Sequence, residues 1–405
     1  MNTNSKCLCC HVDTLKEIID FGPQPPSNRF VVQGASDGET HALKVGQCTS
    51  CGMVQLINPM AFAMAKSRFE WITYNEPEGH LDDLVSKLCQ LPGLEKDARI
   101  IGLTYKDDTT LQRLNKLGYE NTYRYDVAAD LGLDDACVGL ESIQDAYNEK
   151  RVAELKEKHG MADLLSVRHI LEHAHDPRAF LATIRTLVKP GGYLWFEMPD
   201  CSKFIKARDY VFFWEEHITY FSPTIMNTFA READLGVVDV IVYPYQFEDS
   251  LVAIAKNEPW SDEKRSSLPV TSVADLLGEG QSLSTGFSET AAKLRAVLEK
   301  WRSDGKRVAV FGAGHLAARF LNIYGLGEMV ECAVDDHPAK QGLTMPGSGV
   351  PIVGSARLGE IDICLLSLSS ESERKVRANN QEYLERGGIF MSIFADNNNS
   401  IYSEG

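Results

Sequence analysis

Four cysteines in two CxxC pairs, Cys7 with Cys10 and Cys48 with Cys51, constrain this chain more than any other feature. Each CxxC lets a tight turn aim two thiolates at one ion, and two such knuckles complete a tetrahedral zinc shell. Four protein ligands leave no open position, so the expected role is structural. Cys9 and His11 compete as ligands within the first knuckle, and four free thiols are the alternative in a reducing compartment. The other five cysteines (Cys89, Cys137, Cys201, Cys332 and Cys364) are scattered singly, which argues for a metal rather than a disulfide framework.

The chain has 405 residues, long enough for two or three domains. Hydrophobic residues make up 44% and charged residues 24%, as in ordinary globular proteins. Lysine and arginine number 41 against 57 acidic residues, a formal charge of -16, so a nucleic-acid partner is not expected. No apolar run reaches 18 residues and the amino terminus lacks the pattern of a signal peptide, so no membrane partner and a cytoplasmic location are expected.

Residues 1–65 read as a small β-rich zinc-binding head containing the turn-rich stretch FGPQPPSNRF. From 66 to 256, helical periods alternate with apolar strands (ARIIGLTY, NTYRYDV, ADLLSVRHIL, GYLWFEMP), which implies an α/β fold with a mostly parallel, doubly wound sheet. Residues 257–282 are polar and aperiodic and read as a linker. A second Rossmann-like α/β unit follows to residue 405. Its RVAVFGAGHLAARF places Gly312, Gly314 and Ala317 as GxGxxA after a strand, with Asp335 and Asp336 some twenty residues on. A bound dinucleotide is one reading of this turn. The other makes the unit a wall of the cleft, with His315, His337, Lys340 and Gln341 facing it and Lys340 available to a diphosphate.

The segment ADLLSVRHILEHAHDPRAFLATIRTLVKPGGYLWFEMPD resembles the second half of a class I methyltransferase. Together with the CxxC head, FGPQPPSNRF, EEHITYFS at 215–222 and VDDHPAKQGLTMPGSGVPI, it resembles the C-methyltransferases that act on nucleotide-linked keto-sugars. The resemblance implies a zinc head, S-adenosylmethionine as methyl donor, a nucleotide-sugar substrate, and His217 as the base that removes the proton beside the ketone, with Glu216 next to it. Imidazole suits that task because its pKa lies near neutrality. The resemblance also points to substrate contacts at Asn28, Tyr220 and the cluster Tyr74, Asn75, Glu76 and His80. That cluster reads equally well as a solvated helix entry. His173 is a candidate to stabilise the enolate oxygen.

Two departures stand out. Trp214 occupies a position where the resembled family often has tyrosine. The turn expected to cradle the methyl donor reads IIGLTYKDDTTL, with Tyr105 and Thr109 where glycines are usual and Gly102 displaced into the strand. Asp126 remains placed for a ribose, and Asp108 is either part of the donor loop or a helix cap. Methyl transfer to carbon is therefore the first reading. The second is an isomerase, epimerase or dehydratase that uses the same enolate without the donor, and the third a scaffold.

Overall fold

The computed structural model describes residues 6–35, 38–72, 76–135, 137–261 and 270–404. Tyr74 and Asn75 lie outside them. In the head, β1 (Leu15–Gln24), β2 (Val31–Val32), β3 (His41–Cys48) and β4 (Val54–Ile57) are short strands. β1, β3 and β4 form an antiparallel sheet, while β2 pairs with a strand from the far end of the chain.

The central unit contributes β5 (Ile100–Gly102), β6 (Thr122–Arg124), β7 (Ala162–Arg168), β8 (Val188–Asp200), β9 (Thr219–Tyr220), β10 (Gly236–Tyr243) and β11 (Asp249–Lys256). Its sheet runs β10-β11-β8-β7-β5-β6. The four strands from β8 to β6 are parallel, β11 is antiparallel to β8, and β10 closes a hairpin. Strands β5 and β7 are buried along nearly their whole length, as parallel strands covered on both faces must be. β9 leaves this sheet and pairs with β4, through Val54–Tyr220 and Gln55–Thr219. The head is thus stitched to the segment that carries His217.

The tail holds β12 (Val308–Phe311), β13 (Cys332–Val334), β14 (Leu343–Thr344), β15 (Ile352–Val353), β16 (Ile363–Leu366) and β17 (Ile389–Ser392). Its five-stranded parallel sheet has the order β15-β13-β12-β16-β17, and β14 is the strand that pairs with β2.

One expectation fails. The stretch anticipated as linker becomes helix from Val273, and that helix runs on to Ser303. Gly278, Gly280 and Gly286 weaken its intrinsic propensity and hide its period, but two of them permit close packing. A Cβ on Gly280 would lie 2.0 Å from Gln47 Oε1, and one on Gly286 would lie 2.8 Å from Arg208 Cδ. Gln47 Nε2 also donates to the Leu276 carbonyl at 2.8 Å, so tertiary contacts with the head and central unit replace propensity. Among the described residues no helix is long and apolar enough to cross a membrane.

Candidate functional site

The four sulfurs of Cys7, Cys10, Cys48 and Cys51 all lie within 4.8 Å of one another. Cys7 and Cys51 are 3.6 Å apart and Cys10 and Cys48 are 3.7 Å apart. A zinc ion with bonds of ~2.3 Å to four sulfurs has tetrahedral edges of ~3.8 Å, so the set fits zinc. Cys9 and His11 stay outside the cluster. Cys9 is buried beside it and donates its backbone N–H to Cys7 Sγ at 3.4 Å, which orients a ligand rather than adding one.

The second centre lies at the carboxyl ends of β5, β7 and β8, where open α/β sheets bind ligands. Register sets Arg168 on β7 against Glu197 on β8. Arg168 Nε donates to Glu197 Oε2 at 2.6 Å, and both side chains are buried. Ser250 Oγ donates to Glu197 Oε1 at 3.0 Å, His80 Nε2 lies 2.9 Å from that oxygen, and His169 Nε2 lies 3.4 Å from it. Burial alone would raise the Glu197 carboxyl, but Arg168 and the two histidines hold it well below the carboxylate range.

His169 sits just past β7 with φ 49, a left-handed conformation uncommon for a residue with a Cβ. Burial pushes its imidazole down, yet Glu172 and Glu197 outweigh that and hold it at about 9, so the ring is a cation at neutral pH. His173 behaves oppositely. Burial, with His217 and His169 nearby, holds it well below its usual value, so it is neutral. His173, the candidate to stabilise an enolate oxygen, is thus neutral, and the cation is His169, four residues earlier, whose ring reaches Glu197.

His217 lies in the turn before β9, not on a strand. Its ring meets His173 edge to face at 4.9 Å and Trp214 at 4.9 Å, and Trp214 stacks on His315 of the tail at 4.2 Å. Burial lowers His217 to about 3, against an upward pull from Glu76, so the ring is neutral with a lone pair available. The carboxylate facing His217 is Glu76, which enters from the segment after the head. Burial would raise Glu76, but Lys106, whose Nζ is 3.5 Å away, and then His169 lower it to about 2. The Glu76 side chain is 31% exposed, so solvent reaches the centre from its side. Lys106 and His169 carried no signal in the sequence beyond their residue type.

Other anticipated residues serve the frame. Glu216 is buried and receives Asn28 Nδ2 at 3.2 Å, while Asn28 also donates to the Ala65 carbonyl at 2.6 Å. Burial and the neighbouring Glu141 and Glu215 raise Glu216 well above the usual carboxylate range, and its side chain goes to Asn28 rather than to His217. The Tyr220 hydroxyl is buried on the Trp214 backbone, accepting its N–H at 3.0 Å. His80 is buried between Tyr245 and Glu197. Lys340 donates to Asp335 and to the Ala313 carbonyl, each at 2.8 Å, and is not left over for a diphosphate. The Ala313 N–H in turn donates to Asp335 at 3.0 Å. The GxGxxA turn therefore satisfies itself, and what it sends to the cleft is His315.

Three family models cover most of the chain: a zinc binding domain over residues 7–62, a methyltransferase domain over 64–240 and a C-methyltransferase C-terminal domain over 281–394. C-methyltransferase NovU of Streptomyces niveus is 24% identical over 403 residues, spanning 95% of this chain and 94% of its own. By these matches the chain is a methyltransferase-like enzyme. Among solved structures, N-methyltransferase NodS of Bradyrhizobium japonicum is 14% identical with a TM-score of 0.28, covering 45% of this chain and 93% of NodS. Magnesium protoporphyrin IX methyltransferase of Synechocystis PCC 6803 is 10% identical with a TM-score of 0.30, covering 46% and 90%.

After β5 the chain closes on itself: Asp107 Oδ2 accepts the Thr104 N–H at 2.9 Å and Thr104 Oγ1 accepts the Lys106 N–H at 3.2 Å. Asp107 also packs over Gly102, where a Cβ would lie 2.6 Å from its own. The Thr104 and Lys106 amides, which an open glycine-rich turn would offer to a ligand, are thereby taken. Thr109 Oγ1 donates to Glu78 at 2.6 Å, and Asp108 pairs with Arg124 at 2.7 Å. Asp126 is exposed at the end of β6 and uses only Oδ1 on its own turn, at 3.0 and 2.7 Å from the amides of Ala128 and Ala129. The ribose half of the donor fits there.

Proposed function

We propose that this enzyme methylates a carbon beside the ketone of a nucleotide-linked keto-sugar, with His217 as base. The observation that carries the reading is a neutral imidazole beside one retained imidazolium. His217 accepts the proton from the carbon next to the carbonyl, and the C–H electron pair moves into the enolate. Negative charge arriving on the enolate oxygen is favoured by the His169 cation and the Lys106 ammonium, fixed in advance by Glu197 and Glu76. Trp214, buried against both His217 and His315, holds the two rings as one wall of the centre. When bound, S-adenosylmethionine supplies an electrophilic methyl carbon, and Gly102, Asp108 and Asp126 mark the strand ends where it would lie.

The self-closed Thr104–Asp107 turn favours a second reading, in which the same enolate serves an isomerase, epimerase or dehydratase. Titration calorimetry with S-adenosylhomocysteine separates the two. Micromolar affinity supports methyl transfer, and an absence of heat at millimolar ligand supports the second reading.

A further inference from the structure

Three groups of the second centre bring possible ligand atoms together: Glu172, His173 and His217 each place one within 4.8 Å of the other two. Glu172 and His173 are buried, and neither carboxylate oxygen of Glu172 nor Nδ1 of His173 has a hydrogen-bond partner among the described residues. Glu172 Oε1 lies 3.5 Å from His169 Nδ1, an electrostatic contact too long for a hydrogen bond. Leaving buried polar atoms unpaired is costly, and such atoms call for a ligand. The two segments are also pinned together, because the Ile218 N–H donates to the Glu172 carbonyl at 2.8 Å.

We infer that Glu172, His173 and His217 form a second metal site, for a divalent d-block cation such as zinc or cobalt, apart from the four-cysteine site. Two imidazoles and one carboxylate suit such ions, whereas magnesium and calcium demand oxygen ligands. Three protein ligands leave a coordination position open. Coordination uses the His217 lone pair, so the ion and the substrate proton compete for one nitrogen. Metal binding here therefore inhibits enolisation, a consequence that rests on His217 being the base.

The test is titration of untagged, zinc-containing protein with cobalt(II), followed by visible absorption and metal analysis. One further ion per chain is expected, with d–d bands and no sulfur charge-transfer band. Glu172→Gln and His173→Gln should each lose that ion, retain the cysteine-bound zinc and keep the wild-type far-UV circular dichroism. Solvent exchange at the substrate carbon should fall in step with occupancy. A metal content that never rises in the wild type, or a further ion that persists in both variants, overturns the site. An ion that binds as described while exchange continues undiminished supports the site and overturns His217 as base.

Discussion

Arg168 and Glu197 face each other across adjacent parallel strands, Nε to Oε2 at 2.6 Å, with side chains 0% and 1% exposed. Every charged group of the second centre is placed by this pair. Glu197 receives His80 and His169, and the Arg168 guanidinium continues to the Lys106 carbonyl and lies near Glu78.

Glu197→Gln leaves the Arg168 cation buried without its counter-charge. Breaking a buried pair in this way costs about 3–5 kcal/mol, so the variant should unfold at markedly lower denaturant in an equilibrium urea titration. An unchanged midpoint would show that the pair contributes nothing net.

The zinc head makes a separate prediction. Cys48→Ser removes one of four ligands from a closed shell whose binding energy is also folding energy. Elemental analysis should fall from one zinc per chain toward none, with a lower melting temperature. Full zinc content in that variant would contradict the ligand set.

The CxxC spacing made this site legible because four ligands come in two local pairs, and hydrophobic periodicity gave the two α/β units their order. The second centre was only half legible. EEHITYFS pointed to His217, but Arg168, Glu197, His169 and Lys106 acquire their roles through strand register and burial, which appear nowhere in the local sequence. Glu216 looked like a partner of His217 because the two are adjacent, yet the turn sends it to Asn28. The helix from Val273 was hidden because Gly280 and Gly286 lower its propensity, while the close contacts they allow with Gln47 and Arg208 are tertiary.

His169 gives the site a pH signature. Its folded pKa, raised from 6.5 to about 9, means a stabilising contribution that is complete below 6.5 and is lost as pH rises through about 9. The melting-temperature gap between wild type and His169→Asn, a residue that tolerates the left-handed backbone, should be widest below the lower value and close above the upper one. The enolisation rate should fall over the same alkaline range as the cation disappears. A gap independent of pH would contradict the assignment of charge to His169.

The account rests most directly on the fate of one proton. Wild-type protein incubated with a nucleotide-linked keto-sugar in deuterium oxide, without methyl donor, should exchange the hydrogen beside the ketone, read by proton NMR. His217→Gln should bind the sugar nucleotide nearly as well and slow exchange by about 100-fold or more, the usual contribution of a general base. Exchange that persists at the wild-type rate in His217→Gln would contradict the account.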